Sequence, residues 1–321
     1  LDVEEKRMLY DELALQISGV PKTAYDLTGR QTERFRYDYT EPEDEAAELV
    51  SKLTVDQLVQ LAAGDPAKGQ GSQLGSAGIS VPGSAGQTSG CAEEEGIAEI
   101  VLADGPAGLR LNQHYTVRDG AIVPLPLEEA FERGFLYDGP KAEGTEYYQY
   151  CTTFPIGTLL AQSWDEELAA EVGSAAGDEM ERFGITLWLA PGMNIHRNPL
   201  CGRNFEYYSE DPLVSGRIAA AVTKGVQSHP GCGTTIKHFA CNNQEDNRMN
   251  SDSILSERTL REIYLRGFGI AVREAQPMSI MTSYNLINGI HSANNYDLCT
   301  KAARCEFGFK GVIMTDWCTT E

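Results

Sequence analysis

Gly311-Val312-Ile313-Met314-Thr315-Asp316-Trp317 is a short apolar run, bounded by glycine, that ends on an acid and an indole. A strand covered on both faces reads as a continuous hydrophobic stretch, the habit of strands in parallel sheets. Two further runs share the form. Val101-Leu102-Ala103 ends on Asp104-Gly105-Pro106, and Thr235-Ile236 ends on Lys237-His238-Phe239. Reactive side chains at the C-terminal ends of several buried strands are the arrangement of an α/β barrel active site. The pattern points to an enzyme rather than a scaffold.

Outward from these runs the rhythm is regular. A helix over Asp165–Phe183 leads to the strand Ile185–Ala190, closed by Pro191. After a long loop come a helix over Pro212–Gln227 and the strand Thr234–Phe239. A helix over Ser256–Ala275, capped by Ser256, precedes the strand Met278–Tyr284, and a helix near Asp297–Cys305 delivers the last strand. Alternation at this spacing implies right-handed βαβ units and a parallel sheet. Five strands are clear and a sixth is expected over Thr153–Leu159. The fold class read from this is α/β, a (β/α)8 TIM-like barrel spanning 45–321. It is incomplete at its C-terminus, because a closed barrel needs eight strands.

Ahead of the barrel, residues 1–44 read as a charged lead-in or linker with one amphipathic helix around Glu4–Ile17. Ala46, Leu49, Val50 and Leu53 form a helical stripe. Thr54 and Gln57 make a capping box for a second helix carrying Leu58 and Leu61. The Gly/Ser-rich stretch 64–90 reads as a loop near the barrel mouth. Its Gly69-Gln70-Gly71 has no strand–turn–helix context, so a phosphate loop is discounted. Residues 112–150 read as an irregular insertion.

Composition narrows the function. Forty-seven acids against 26 bases give a net charge of -21, a field that repels phosphate backbones and argues against nucleic acid as partner. No apolar run reaches the roughly 18 residues of a membrane span. The 8 cysteines form no CxxC pair and the 5 histidines no HExxH, so neither a metal nor a cofactor is expected. Scattered thiols in a chain of 321 residues read as reduced cysteines of a cytoplasmic protein. The N-terminus shows no signal-peptide pattern, and it begins at Leu1 rather than methionine, which leaves room for a leader or an upstream domain.

The polar residues at the strand ends keep company. Adjacent Lys237-His238 costs desolvation unless both side chains meet partners. Ala103-Asp104-Gly105-Pro106, the run Gly202-Arg203-Asn204-Phe205-Glu206-Tyr207-Tyr208-Ser209-Glu210-Asp211-Pro212, and Lys237-His238-Phe239-Ala240-Cys241-Asn242-Asn243-Gln244-Glu245 occur in order. Ser256–Leu265, Met281-Thr282-Ser283-Tyr284-Asn285 and Asp316-Trp317 follow. From about Ala46 onward the chain resembles the barrel domain of glycoside hydrolase family 3, home of many β-glucosidases.

The resemblance implies a retaining exo-acting hydrolase that releases β-linked glucose from the non-reducing end of β-glucosides or short oligosaccharides. Asp316 matches the nucleophile that forms a glycosyl ester, with Lys237 and Arg203 as nearby cations favouring its charged form. Asp104, Arg203, Lys237 and His238 match positions that bind sugar hydroxyls, Tyr284 the tyrosine beside the nucleophile, and Trp317 an aromatic wall. A sugar offers an apolar face to an indole and a rim of hydroxyls to charged groups. Glu206 and Arg248 read chiefly as partners that orient loop or helix ends, and Asp211-Pro212 as a helix cap. Glycosidase chemistry needs a second carboxyl group. In this family it commonly comes from an α/β sandwich domain, which is not found in these 321 residues and is the expected partner. Some members carry that domain before the barrel, an order the linker-like start would suit. A β-xylosidase of the same family and a catalytically silent sugar-binding protein are the alternatives. Homo-oligomerisation is left open.

Overall fold

The computed structural model of the protein describes residues 45–64, 80–123 and 142–319. The expected Glu4–Ile17 helix and the Gly69-Gln70-Gly71 stretch lie outside these residues. In chain order the elements begin with α1 (Glu45–Lys52), α2 (Val55–Ala63), β1 (Gly86–Gln87), β2 (Val101–Ala103), β3 (His114–Arg118), β4 (Ala121–Val123) and β5 (Thr145–Tyr148). Next are α3 (Gly157–Gln162), α4 (Glu166–Phe183), β6 (Leu187–Trp188), α5 (Pro212–Gln227), β7 (Gly233–Phe239) and β8 (Asp252–Ser253). The chain continues with α6 (Arg266–Ala275), β9 (Ser279–Thr282), β10 (Leu286–Ile287), β11 (Ile290–His291), the π-helical α7 (Asp297–Glu306) and β12 (Val312–Met314).

The fold is α/β. A 6-stranded sheet runs β1-β2-β6-β7-β9-β12. Every pairing in it is parallel except β1 with β2. Successive strand residues point to opposite faces, and the sequence uses that alternation. Val101, Ala103, Trp188, Ala190, Ile236 and Ile280 belong to the large core shared with the helices. Their neighbours Leu102, Leu189, Met281 and Met314 join Ala85 and Trp317 in a second, inner cluster. The sheet curls around that inner cluster. A Cβ added to Gly86, on the first strand, would lie 3.9 Å from the indole Cη2 of Trp317, beyond the last strand.

The helices that clothe the outside start where their caps dictate. Asp165 accepts from the backbone N–H of Glu167 and Leu168 to open α4. Asp211 accepts from Leu213 N ahead of Pro212 to open α5, as the sequence reading of Asp211-Pro212 holds. Thr54 and Gln57 form the expected capping box of α2. The α4–α5 contact is close because glycine faces backbone. A Cβ on Gly173 would meet Val222 O at 2.2 Å, and one on Gly225 would meet Ala170 O at 2.0 Å.

The five strands expected as clear are all present. Thr153–Leu159 is not a strand: Gly157 opens α3, pressed against the backbone of Glu206, where a Cβ would lie 2.4 Å from its carbonyl oxygen. The helix expected over Ser256–Ala275 is divided. Ser256 caps its first turn, but a π turn over Leu260–Tyr264 separates that turn from α6. The stretch 112–150 is not wholly irregular, since it contains an antiparallel 3-stranded sheet in the order β4-β3-β5. Its β3–β4 turn is Asp119-Gly120, both with positive φ (54° and 79°), as a tight two-residue hairpin requires.

Candidate active site

Strand β7 is buried along its whole length. Its register with β9 is regular at Thr235 and Ile236 and then shifts before Phe239. In an unbroken strand Lys237 and His238 would point to opposite faces; an irregularity of this kind re-aims a side chain. Both therefore serve one cluster. Asn194 clamps the turn, accepting from His238 N at 2.8 Å and donating to the His238 carbonyl at 2.9 Å.

Lys237 donates from Nζ to Asp104 Oδ1 at 3.1 Å. Asp104 Oδ2 accepts from Arg110 Nη2 at 2.6 Å. Asp104 sits just past β2, next to Gly105, whose carbonyl accepts from Trp188 Nε1 at 2.6 Å. Burial works to raise the Asp104 carboxyl, but Lys237 and Arg110 overcome it and hold the group well below the usual carboxylate range.

Arg203 enters from the 3-10 turn Asn204–Glu206. Its Nε donates to the buried Glu206 carboxylate, and its Nη2 lies 2.9 Å from His238 Nε2. His238 Nδ1 is 3.1 Å from the Tyr207 hydroxyl. Burial first, then the cations Arg203, Lys237 and Arg248, depress the His238 pKa well below its ordinary value, so the imidazole is neutral. The 3.7 Å separation of His238 Nε2 from Asp316 Oδ2 is therefore not an ion pair.

Asp316 follows β12 and is buried, with 6% of its side chain exposed. Its Oδ1 accepts from Trp317 N at 2.8 Å, and the Tyr284 hydroxyl donates to the same carboxylate. Burial raises the Asp316 pKa. The Trp317 N–H, Lys237, Arg203 and Tyr284 all oppose that rise without cancelling it. The cations named from sequence are thus the ones that act on Asp316, although burial outweighs them.

Sequence reasoning named Asp104, Arg203, Lys237, His238, Tyr284, Asp316 and Trp317, and the structure brings the first six into one connected cluster. Trp317 is partly buried beside them and packs into the inner core. Sequence reasoning did not find the polar chain behind them. Asn242 Nδ2 donates to the Tyr207 hydroxyl at 3.0 Å and to Glu245 Oε1 at 3.1 Å. Glu245 Oε2 accepts from Arg248 Nη1 at 2.9 Å, and the Arg248 guanidinium lies 4.6 Å over the Tyr284 ring. Asn242 and Glu245 lie inside a quoted motif, and only the fold reveals that they close a loop from His238 back to Tyr284. Glu206 and Arg248 pair with charged neighbours, in keeping with orienting roles. Among the described residues no group of three or more metal-binding side chains gathers, and no helix is long and apolar enough to cross a membrane.

Fold and cluster together define an α/β protein whose ionisable groups gather at the carboxyl ends of parallel strands. The family model described as "Glycosyl hydrolase family 3 N terminal domain" matches residues 140–321. The chain belongs to glycoside hydrolase family 3. It is 38% identical over 270 residues to Beta-glucosidase A of Butyrivibrio fibrisolvens, covering 84% of this chain and 27% of that protein. It is 43% identical over 225 residues to an exo-alpha-(1->6)-L-arabinopyranosidase of Bifidobacterium longum, covering 70% of this chain and 27% of that protein. Among solved structures, beta-glucosidase 3B from Thermotoga neapolitana in complex with alpha-D-glucose superposes with a TM-score of 0.70 at 44% identity, covering 85% of this chain and 34% of that one. The chain spans about a quarter of the length of these two curated relatives.

Proposed function

We propose that this chain carries the nucleophile and the sugar-binding side of a retaining β-glucosidase that acts from the non-reducing end. Asp316 attacks the anomeric carbon; the glycosidic C–O bond breaks as the ester C–O bond forms, and the leaving oxygen takes a proton from a general acid. Water then attacks the ester, gives its proton to the same group acting as base, and releases the sugar with its configuration retained. Asp104 and Lys237 accept and donate to hydroxyls at one end of the sugar ring, Arg203, oriented by His238, serves a neighbouring hydroxyl, and Trp317 faces the apolar side of the ring.

The observation that carries this reading is the convergence of Asp104–Lys237, Arg203–His238 and Tyr284–Asp316 in one buried cluster at the strand ends. The carboxylates beside Asp316 in that cluster are each committed to a cation: Asp104 to Lys237 and Arg110, Glu206 to Arg203, Glu245 to Arg248. By resemblance to the family, the acid/base is proposed to come from an α/β sandwich domain. The arabinopyranosidase relatives favour a second reading, a pentopyranosidase, a class that includes the β-xylosidase alternative.

The test is the stereochemistry of the intact native protein on an aryl β-glucoside, followed by proton NMR. The β anomer of glucose should form first, and Asp316→Asn should lower kcat by roughly a thousandfold or more. A first-formed α anomer, or near-normal turnover by the variant, would overturn the mechanism. Faster release of a pentose from aryl pentopyranosides would select the second reading.

A further inference from the structure

We infer that Tyr207 is a positioning residue that holds His238 in its Nδ1–H tautomer and so keeps a ring proton from Asp316; the kinetic part of the inference rests on the glycosidase reading above. Tyr207 is fully buried, and its ring meets the His238 ring edge-on at 6.0 Å and 71°.

The assignment follows from counting protons. A guanidinium only donates, and Arg203 Nη2 stands 2.9 Å from His238 Nε2. Nε2 must therefore be the accepting nitrogen. A neutral imidazole then carries its single proton on Nδ1, where the partner among the described residues is the Tyr207 oxygen at 3.1 Å. The reverse assignment would aim a ring N–H at an arginine that cannot accept it. Asn242 Nδ2, at 3.0 Å, donates to the same phenol oxygen and fixes its place beside the ring. Asn194 fixes the His238 backbone from both sides, leaving little freedom for the ring to escape this choice.

The consequence falls on Asp316. Its Oδ2 is 3.7 Å from His238 Nε2. The other groups facing Asp316 are Lys237 from the same strand, Arg203 from the long loop, Tyr284 beyond β9 and the Trp317 N–H. All of them are cations or donors, and each favours the ionised carboxylate. A proton on Nε2 would place one more positive dipole end 3.7 Å from Oδ2. That would lower the carboxyl pKa further and draw density from the lone pair that attacks the anomeric carbon. The Nδ1–H tautomer withholds it.

The test uses the intact native protein with 15N-labelled histidine side chains and long-range proton–nitrogen correlation at neutral pH, with His238→Asn assigning the signals. The wild type should show His238 protonated on Nδ1 alone. In Tyr207→Phe, where Nδ1–H loses its acceptor and Arg203 alone still opposes the Nε2–H form, that form should become detectable beside the Nδ1–H form. For this variant kcat on an aryl β-glucoside should fall about 10–100-fold, by analogy with the loss of partners that fix the tautomer of metal-bound histidines. KM should change little, and the acid limb of kcat/KM should move to lower pH. A merely structural defect would lower activity without moving the acid limb or the tautomer. An Nε2–H or doubly protonated His238 in the wild type would overturn the proposal, even if the variant fails to fold. So would a variant that keeps the Nδ1–H form alone. A wild type with this tautomer but no glycosidase activity would instead strike at the proposed function, and the two failures are separable.

Discussion

Replacing Asp104 by alanine strands the Lys237 ammonium. The Lys237 side chain is 4% exposed and its hydrogen bond to Asp104 is 3.1 Å, whereas Asp104 itself is 18% exposed and shares its other oxygen with Arg110. Removing one partner of a fully buried pair costs about 3–5 kcal/mol, because the remaining charge is left without compensation. The partial exposure of Asp104 places this case near the lower end, about 3 kcal/mol, or roughly 5–10 °C in Tm for a domain of this size. Circular dichroism during urea and thermal unfolding would measure it. Asp104→Ala combined with Lys237→Met should recover most of the loss, since no buried charge remains. Arg110→Ala, at a side chain 47% exposed, should cost at most about 1 kcal/mol. The folded Asp104 carboxyl lies below its ordinary 3.8. Its stabilisation is thus present above about pH 4 and fades as pH falls through the lower folded value, so the gap between wild type and variant should close only in strong acid. A single variant as stable as wild type, or a double variant less stable than the single one, would refute the reasoning.

Asp316→Asn should raise stability at neutral pH while abolishing turnover, because burial raises the Asp316 pKa. With the folded value above the unfolded one, its contribution to stability is complete below the unfolded pKa and is lost as pH rises through the folded one, so the advantage of the amide should vanish in acid; equal unfolding midpoints at pH 7 would contradict this. Gly225→Ala places a Cβ 2.0 Å from the Ala170 carbonyl oxygen and should cost more than about 2 kcal/mol by forcing α4 and α5 apart; a midpoint unchanged in urea would count against the close helix contact.

The strands were legible where the chain leaves no choice of face. Val101–Ala103 and Ile313–Met314 are apolar at consecutive positions, because one face meets the helices and the other the inner cluster. Helix starts were legible through side chains that satisfy backbone N–H groups, Asp165 and Asp211 among them. Thr153–Leu159 misled because a short apolar run carries no period long enough to separate strand from helix. The tell-tale signs were Pro155 and Gly157, the latter packed on backbone. In the stretch 112–150 the Asp119-Gly120 pair was an available hairpin signal between Tyr115-Thr116-Val117 and Ala121-Ile122-Val123. The π turn at Leu260–Tyr264 had no local signature. In the site, polar residues stood out because they interrupt apolar runs. Their partners did not, since Lys237 meets Asp104 across 133 positions and His238 meets Tyr207 across 31. Only closure of the sheet decides those pairs.

The central claim is that Asp316 forms a covalent bond to the sugar. Incubation of the intact native protein with a 2-deoxy-2-fluoro-β-glucoside bearing a good leaving group should trap the glycosyl ester. Digestion and mass spectrometry should then place one added fluoroglucosyl group on the peptide containing Asp316. Labelling of another carboxylate with Asp316 unmodified would contradict the account.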